Sequence, residues 1–147
     1  MIPIKRPHEI EKMRQAGEAA AWILQELADM IAPGVTTGEV DHRASQLMSE
    51  AGVKSAFLGY KKFPGHICIS VNEEVVHGIG GSRRIAYGDI VKMDVGIIRD
   101  GWIGDNATSV AVGIIDPDTE RLLTVTERIL KGAVELARDR KSTRLNS

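Results

Sequence analysis

The chain has 147 residues, 43% of them hydrophobic, enough to bury one core of ordinary size and too few for two full domains. Nineteen basic against twenty acidic residues leave a net charge of −1 with no basic block, so neither nucleic acid nor a membrane surface is expected as a partner. A single cysteine, Cys68, excludes an internal disulfide, no apolar run reaches the ~20 residues of a spanning helix, and no secretory leader is readable, which together point to a reducing cytoplasm.

From His8 to Ile31, the spacing of Ile10, Met13, Ala20, Ile23, Leu27 and Ile31 predicts a helix with one buried stripe, punctuated by Pro7 before it and Pro33-Gly34 after it. Thr36 with Glu39 three positions on has the form of a capping box. It opens a second helix that buries Val40, Ala44, Leu47 and Met48 and ends at Gly52. From about Val53 to Gly113 the pattern changes to short β-rich runs, namely Cys68–Val71, Val75-Val76, Ile90–Met93 and Ser109–Val112. Pro64-Gly65, Gly78 to Ser82 and Asp100-Gly101 separate them. Asp116 as cap and Pro117 at the first turn open a third helix, whose stripe of Leu122, Val125, Ile129 and Ala133 runs to about Arg138. This order predicts an α+β fold, an antiparallel sheet with helices on one face. After the third helix only the polar run Lys141 to Ser147 follows, so the chain reads as cut short.

Two carboxylates, Asp94 and Asp105, interrupt the apolar run "VKMDVGIIRDGWIGDNATSVAVG". Asp100-Gly101 is the strongest hairpin signal in the sequence, because a two-residue turn with both central φ positive tolerates this pair best. With Arg99 facing Trp102, Asp94 lies opposite Ala107 and Asp105 opposite Gly96, so the two carboxylates project from one face as diagonal neighbours. A turn centred on Arg99-Asp100 would put them directly opposite, and a three-residue loop would send them to opposite faces. Two carboxylates flanked by Val, Ile and Met repel and are desolvated unless a cation sits between them, and hard oxygen donors suit Mn, Fe(II), Co, Zn or Mg. The plain alternative is that one aspartate faces solvent or caps a turn. His77 closes a β-rich run just before Gly78, where a side chain can stand at the rim of a sheet. A lone histidine is more often structural, and it is the pairing with the aspartates that makes this one a candidate.

"FPGHICISVNEEVVHGI" followed by "DVGIIRDGWIGDNAT" resembles the type I methionine aminopeptidases, metalloenzymes of the pita-bread fold, and the resemblance extends from "EIEKMRQAGEAAAWIL" through "APGVTTGEVD" into the third helix. It implies that Asp94 and Asp105 are two ligands of a dinuclear centre of Co, Fe(II), Mn or Zn, with Asp105 bridging. It implies that His77 lies beside the substrate, and that Tyr60, Phe63 and Cys68 line an apolar pocket for methionine; core packing under a loop is the other reading of these three. The implied activity is removal of the N-terminal methionine from nascent polypeptides by a monomeric cytoplasmic enzyme. Two departures fall at the mouth of the implied site: Gly80 stands where the family commonly has Pro, and Lys61-Lys62 where His or Gly is usual.

The family's remaining ligands are a His and two Glu from its C-terminal half. Here no histidine follows Asp105, and Glu120, Glu127 and Glu135 all fall on the third helix. Residues 1–140 are therefore expected to be the N-terminal portion of a single pita-bread domain and 141–147 a non-native or disordered tail. Two carboxylates alone bind a metal weakly, so negligible peptidase activity is expected of these residues by themselves. The competing readings are a non-catalytic pita-bread binding module and a relative cleaving Xaa-Pro bonds.

Overall fold

Asp100 and Gly101 take φ of 50° and 81°, the paired left-handed geometry of a tight hairpin. They join β3 (Ile90–Arg99) to β4 (Trp102–Ala111) with Arg99 against Trp102, the register read from the sequence. The computed structural model describes residues 3–137 and divides into two compact units, Met1–Ile114 and Ile115–Ser147.

In chain order the first unit contains α1 (Pro7–Asp29), α2 (Thr37–Glu50), β1 (Lys54–Ser55), a single 3-10 turn at Tyr60–Lys62, β2 (Cys68–Val71) and then the β3–β4 hairpin. β3 is central and every pairing is antiparallel: β4 along its whole length, β2 against Val91 to Asp94, and β1 against Ile97 and Ile98.

Opposed residues share a face, so the sheet has two unlike sides. One carries Val91, Met93, Val95 and Ile97 of β3 with Ile69 and Val71 of β2, all fully buried, and α1 covers it with Ala16, Ala20, Ile23 and Leu27. The helix comes very close. A methyl group built on Gly104 would lie 2.2 Å from the Ala16 carbonyl oxygen, and Asn106 Nδ2 donates to Gly17 O at 3.1 Å. The other side carries Cys68, Ser70, Lys92, Asp94 and Asp105.

α2 follows its sequence closely. Thr36 Oγ1 accepts from Glu39 N at 3.1 Å, Thr36 N donates to Glu39 Oε2 at 2.7 Å, and Val40, Ala44, Leu47 and Met48 are buried before Gly52 (φ 66°). α1 differs in its stripe: Ile10 and Met13 are exposed, and Ala16, Ala19 and Leu24 take their place in the core. Close packing on Gly104 demands small residues at that contact, which a reading tuned to large apolar side chains does not find. Val75-Val76 is not a strand. The chain turns at Asn72 (φ 55°), and the amide of Val71 donates to Glu74 Oε2 at 2.8 Å. The free edge of β2 is then closed by Gly78, whose carbonyl accepts from Ile69 N at 2.9 Å, leaving both valines exposed.

The second unit has one element among its described residues, α3 (Pro117–Leu136), capped by Asp116 Oδ1 accepting from Thr119 N at 3.0 Å. Its expected buried stripe is not buried. Leu122, Val125, Ile129 and Ala133 are all exposed, because an amphipathic face needs a second element to cover it and this unit describes none. The expected tail, 141–147, lies outside the described residues.

Candidate metal centre

The hairpin register fixes the acidic pair. Asp94 lies opposite Ala107 and Asp105 opposite Gly96, which puts both carboxylates on the sheet face away from α1. β2 brings Cys68 opposite Asp94 on that same face. Asp94 Oδ1 is shut off from solvent and has no hydrogen-bond partner. Burial and then the charge of Asp105 hold the Asp94 carboxyl above the usual carboxylate range, with His77 pulling the other way. Burial, and then Asp94, Asp105 and Asp41, push the Cys68 thiol up to about 11, so at neutral pH it is a protonated, apolar wall rather than a thiolate ligand.

His77 is positioned through its neighbour. Gly78 N donates to the buried Ser70 Oγ at 3.0 Å and Gly78 O accepts from β2, so closely that a methyl group at Gly78 would lie 2.0 Å from Ile69 O. His77 is thereby held at φ 57°, a backbone region that L side chains rarely enter and that concentrates at functional positions.

All six residues singled out from the sequence, Tyr60, Phe63, Cys68, His77, Asp94 and Asp105, line one cavity of about 580 Å³. Sequence reasoning missed part of its wall. Phe57 lays its ring on Gly96, where a methyl group would meet the ring at 2.4 Å, and a glycine in mid-strand is the signal that could have pointed to it. Asp41 was also missed. From α2 its Oδ1 accepts from the amides of His66 (2.7 Å) and Ile67 (3.1 Å), and its Oδ2 lies 3.0 Å from His66 Nδ1, tying down the segment that leads into Cys68. Nothing local announces a contact across 25 positions.

The acidic pair suits a divalent cation in part. It offers hard oxygen donors, one with an oxygen that nothing else satisfies, yet among the described residues no group of three or more His, Cys, Asp or Glu stands together as a full ligand shell.

Residues 11–145 match the model of Metallopeptidase family M24. The chain belongs to that family. Among its relatives, methionine aminopeptidase 1 of Bacillus subtilis is 45% identical over 136 residues, covering 92% of this chain and 55% of that protein. Methionine aminopeptidase A of Synechocystis is 44% identical over 135 residues, covering 91% of this chain and 53% of that protein. The crystal structure of the Thermotoga maritima methionine aminopeptidase superposes with a TM-score of 0.90 at 40% identity, covering 94% of this chain and 56% of that one. Prolidase from Pyrococcus furiosus, at 22% identity and a TM-score of 0.76 over 89% of this chain and 37% of its own, shares the fold alone. The α+β, pita-bread reading is thus borne out, and M24 membership implies divalent-metal chemistry. The chain spans about half the length of the curated relatives it matches.

Proposed function

We propose that this chain carries part of the active site of a metal-dependent aminopeptidase that removes the N-terminal methionine from nascent polypeptides. The observation that carries the reading is the unpartnered Asp94 Oδ1 beside Asp105 in a cavity walled by Tyr60, Phe63 and Cys68, in a member of M24. Asp94 and Asp105 would hold divalent cations of the class Co, Fe(II), Mn or Zn. Divalent ions there supply Lewis-acid polarisation of an amide and a hydrolytic nucleophile at neutral pH. The chain's own contribution is positioning: Tyr60, Phe63 and the protonated Cys68 take the thioether side chain and exclude water, while His77 steadies the scissile amide. We place residues 1–140 in one portion of a single pita-bread domain, and the complete enzyme as a cytoplasmic monomer.

A non-catalytic binding module has no use for a buried carboxylate oxygen left without a partner. Relatives named methionine aminopeptidase are 37–45% identical to this chain, which favours them over the Xaa-Pro reading. The first test is Mn²⁺ titration followed by paramagnetic broadening and thermal stability. Broadening is expected around Cys68 and His77, and Asp94→Asn should abolish it while stabilising the metal-free chain by at most about 1 kcal/mol, since a desolvated charge is removed beside a like-charged, solvent-screened neighbour. Broadening that survives Asp94→Asn, or centres elsewhere, defeats the reading.

A further inference from the structure

The cavity that holds Asp94 and Asp105 is also lined by Lys61 and Lys62. Both take left-handed backbone, φ 47° and 67°, which residues bearing a side chain rarely adopt and which here occurs twice in succession. A closed turn imposes it: Lys62 N donates to Gly59 O at 3.1 Å, Phe63 N to Tyr60 O at 2.9 Å and Gly59 N to Phe63 O at 2.9 Å. The two side chains therefore leave a fixed turn of the cavity wall rather than a slack loop.

Among the described residues, neither charge is matched by a carboxylate. Other cations near this face have partners: Lys92 Nζ donates to the carbonyls of Asn72 and Glu74, and Arg83 pairs with Glu74 at 2.9 Å. Lys61 Nζ stands 5.5 Å over the ring of Tyr60, which lines the same cavity. One cavity is thus lined by an acidic pair and by two lysines that no carboxylate among the described residues neutralises, whose positive charge attracts an anion.

We propose that Lys61 and Lys62 form an anion subsite that takes a peptide carboxylate downstream of the N-terminal residue. This rests on the aminopeptidase reading above, and deepens it by naming a substrate class: short or nascent peptides with a carboxylate close behind the residue to be removed. The carboxylate can come from an Asp or Glu side chain or from the C-terminus of a short peptide, and the chemistry at the lysines is the same.

The test uses the full 147-residue chain in EDTA at low ionic strength, with affinities read from amide shift titrations against four peptides. Met-Ala-Ser-amide is the reference without a carboxylate, Met-Ala-Asp-amide carries a side-chain carboxylate, Met-Ala-Ser free acid a terminal one, and Ser-Ala-Asp-amide lacks the methionine. The carboxylate-bearing methionine peptides are expected to bind about threefold to tenfold tighter than the reference, an advantage that shrinks with added salt. Whichever of the two acidic peptides gains more identifies the source of the anion. The double variant K61Q/K62Q should lose the advantage and K61R/K62R should keep it, a charge dependence that a merely structural role for the turn would not produce. Equal affinity for methionine peptides with and without the carboxylate overturns the subsite and leaves the aminopeptidase reading intact. An acid advantage indifferent to the loss of methionine overturns that reading and leaves the subsite. Binding of none of the four overturns both.

Discussion

Two aspartates of the same strand region meet opposite fates. Asp94 keeps an oxygen that nothing in the fold satisfies, whereas Asp89 is fully occupied: its Oδ2 accepts from Ala86 N and its Oδ1 from Asn72 Nδ2, both at 2.8 Å. These bonds favour the charged form and hold the Asp89 carboxyl below its ordinary value, the backbone amide contributing most. A carboxyl whose folded pKa is depressed contributes stability that is present above its unfolded value and is lost as pH falls through the folded one. Asp89→Asn is therefore expected to cost about 1 kcal/mol or less at pH 7, discounted for partial exposure, and to cost almost nothing once acid has protonated the wild-type group. Urea midpoints of both proteins followed downward from pH 7 check this, the gap narrowing as pH falls below the ordinary aspartate range. A difference that stays constant with pH would mean the Asp89 bonds matter only as shape. The same comparison shows why Asp94 reads as functional: the strand start has been satisfied bond by bond, and Asp94 Oδ1 has not.

At the scale of elements, the contact between α1 and the β3–β4 hairpin governs how the site is presented, because it decides which sheet face is core and which is left for Asp94 and Asp105. Two glycines in that region predict opposite outcomes. Gly104→Ala would drive a methyl group into the Ala16 carbonyl and the Gly17 amide, at a cost of about 1–3 kcal/mol or more, since neither backbone can yield cheaply. Gly17→Ala, one turn surface away, meets nothing within 4 Å and should gain up to about 1 kcal/mol from helix propensity. Thermal midpoints moving in the same direction would show that the helix does not sit on β4 as described. The hairpin itself was legible in the sequence because Asp100-Gly101 sets parity, and parity alone puts both carboxylates on one face. The caps at Thr36 and Asp116 were legible because a cap is a contact over three residues. What stayed hidden was decided at long range: Ala16 rather than Met13 in the core, Val75-Val76 displaced by Gly78 at the edge of β2, and Asp41 reaching the segment before Cys68.

At the scale of the whole molecule, the two units differ in what supports them. The first buries a continuous core from Ala16 to Val112 with a four-stranded sheet inside it. The second presents α3 with none of its described side chains buried, although Leu122, Val125, Ile129, Leu130 and Val134 give it a strongly apolar side. A helix of this length in water is marginal when propensity and the Lys131–Glu127 pair are its main support, because nucleation is costly and most helical stability in proteins comes from packing. Amide hydrogen exchange of the chain should therefore separate the units: β3 and β4 amides protected to near the global unfolding free energy, and α3 amides exchanging within a few orders of magnitude of the free peptide rate. Protection of α3 equal to that of the sheet would mean that its apolar side is covered in solution. Because the family relatives are about twice as long as this chain, adding a peptide from the remaining half of a relative offers a direct comparison. Slower exchange confined to α3, with the sheet unchanged, would show that covering this side is what the helix lacks.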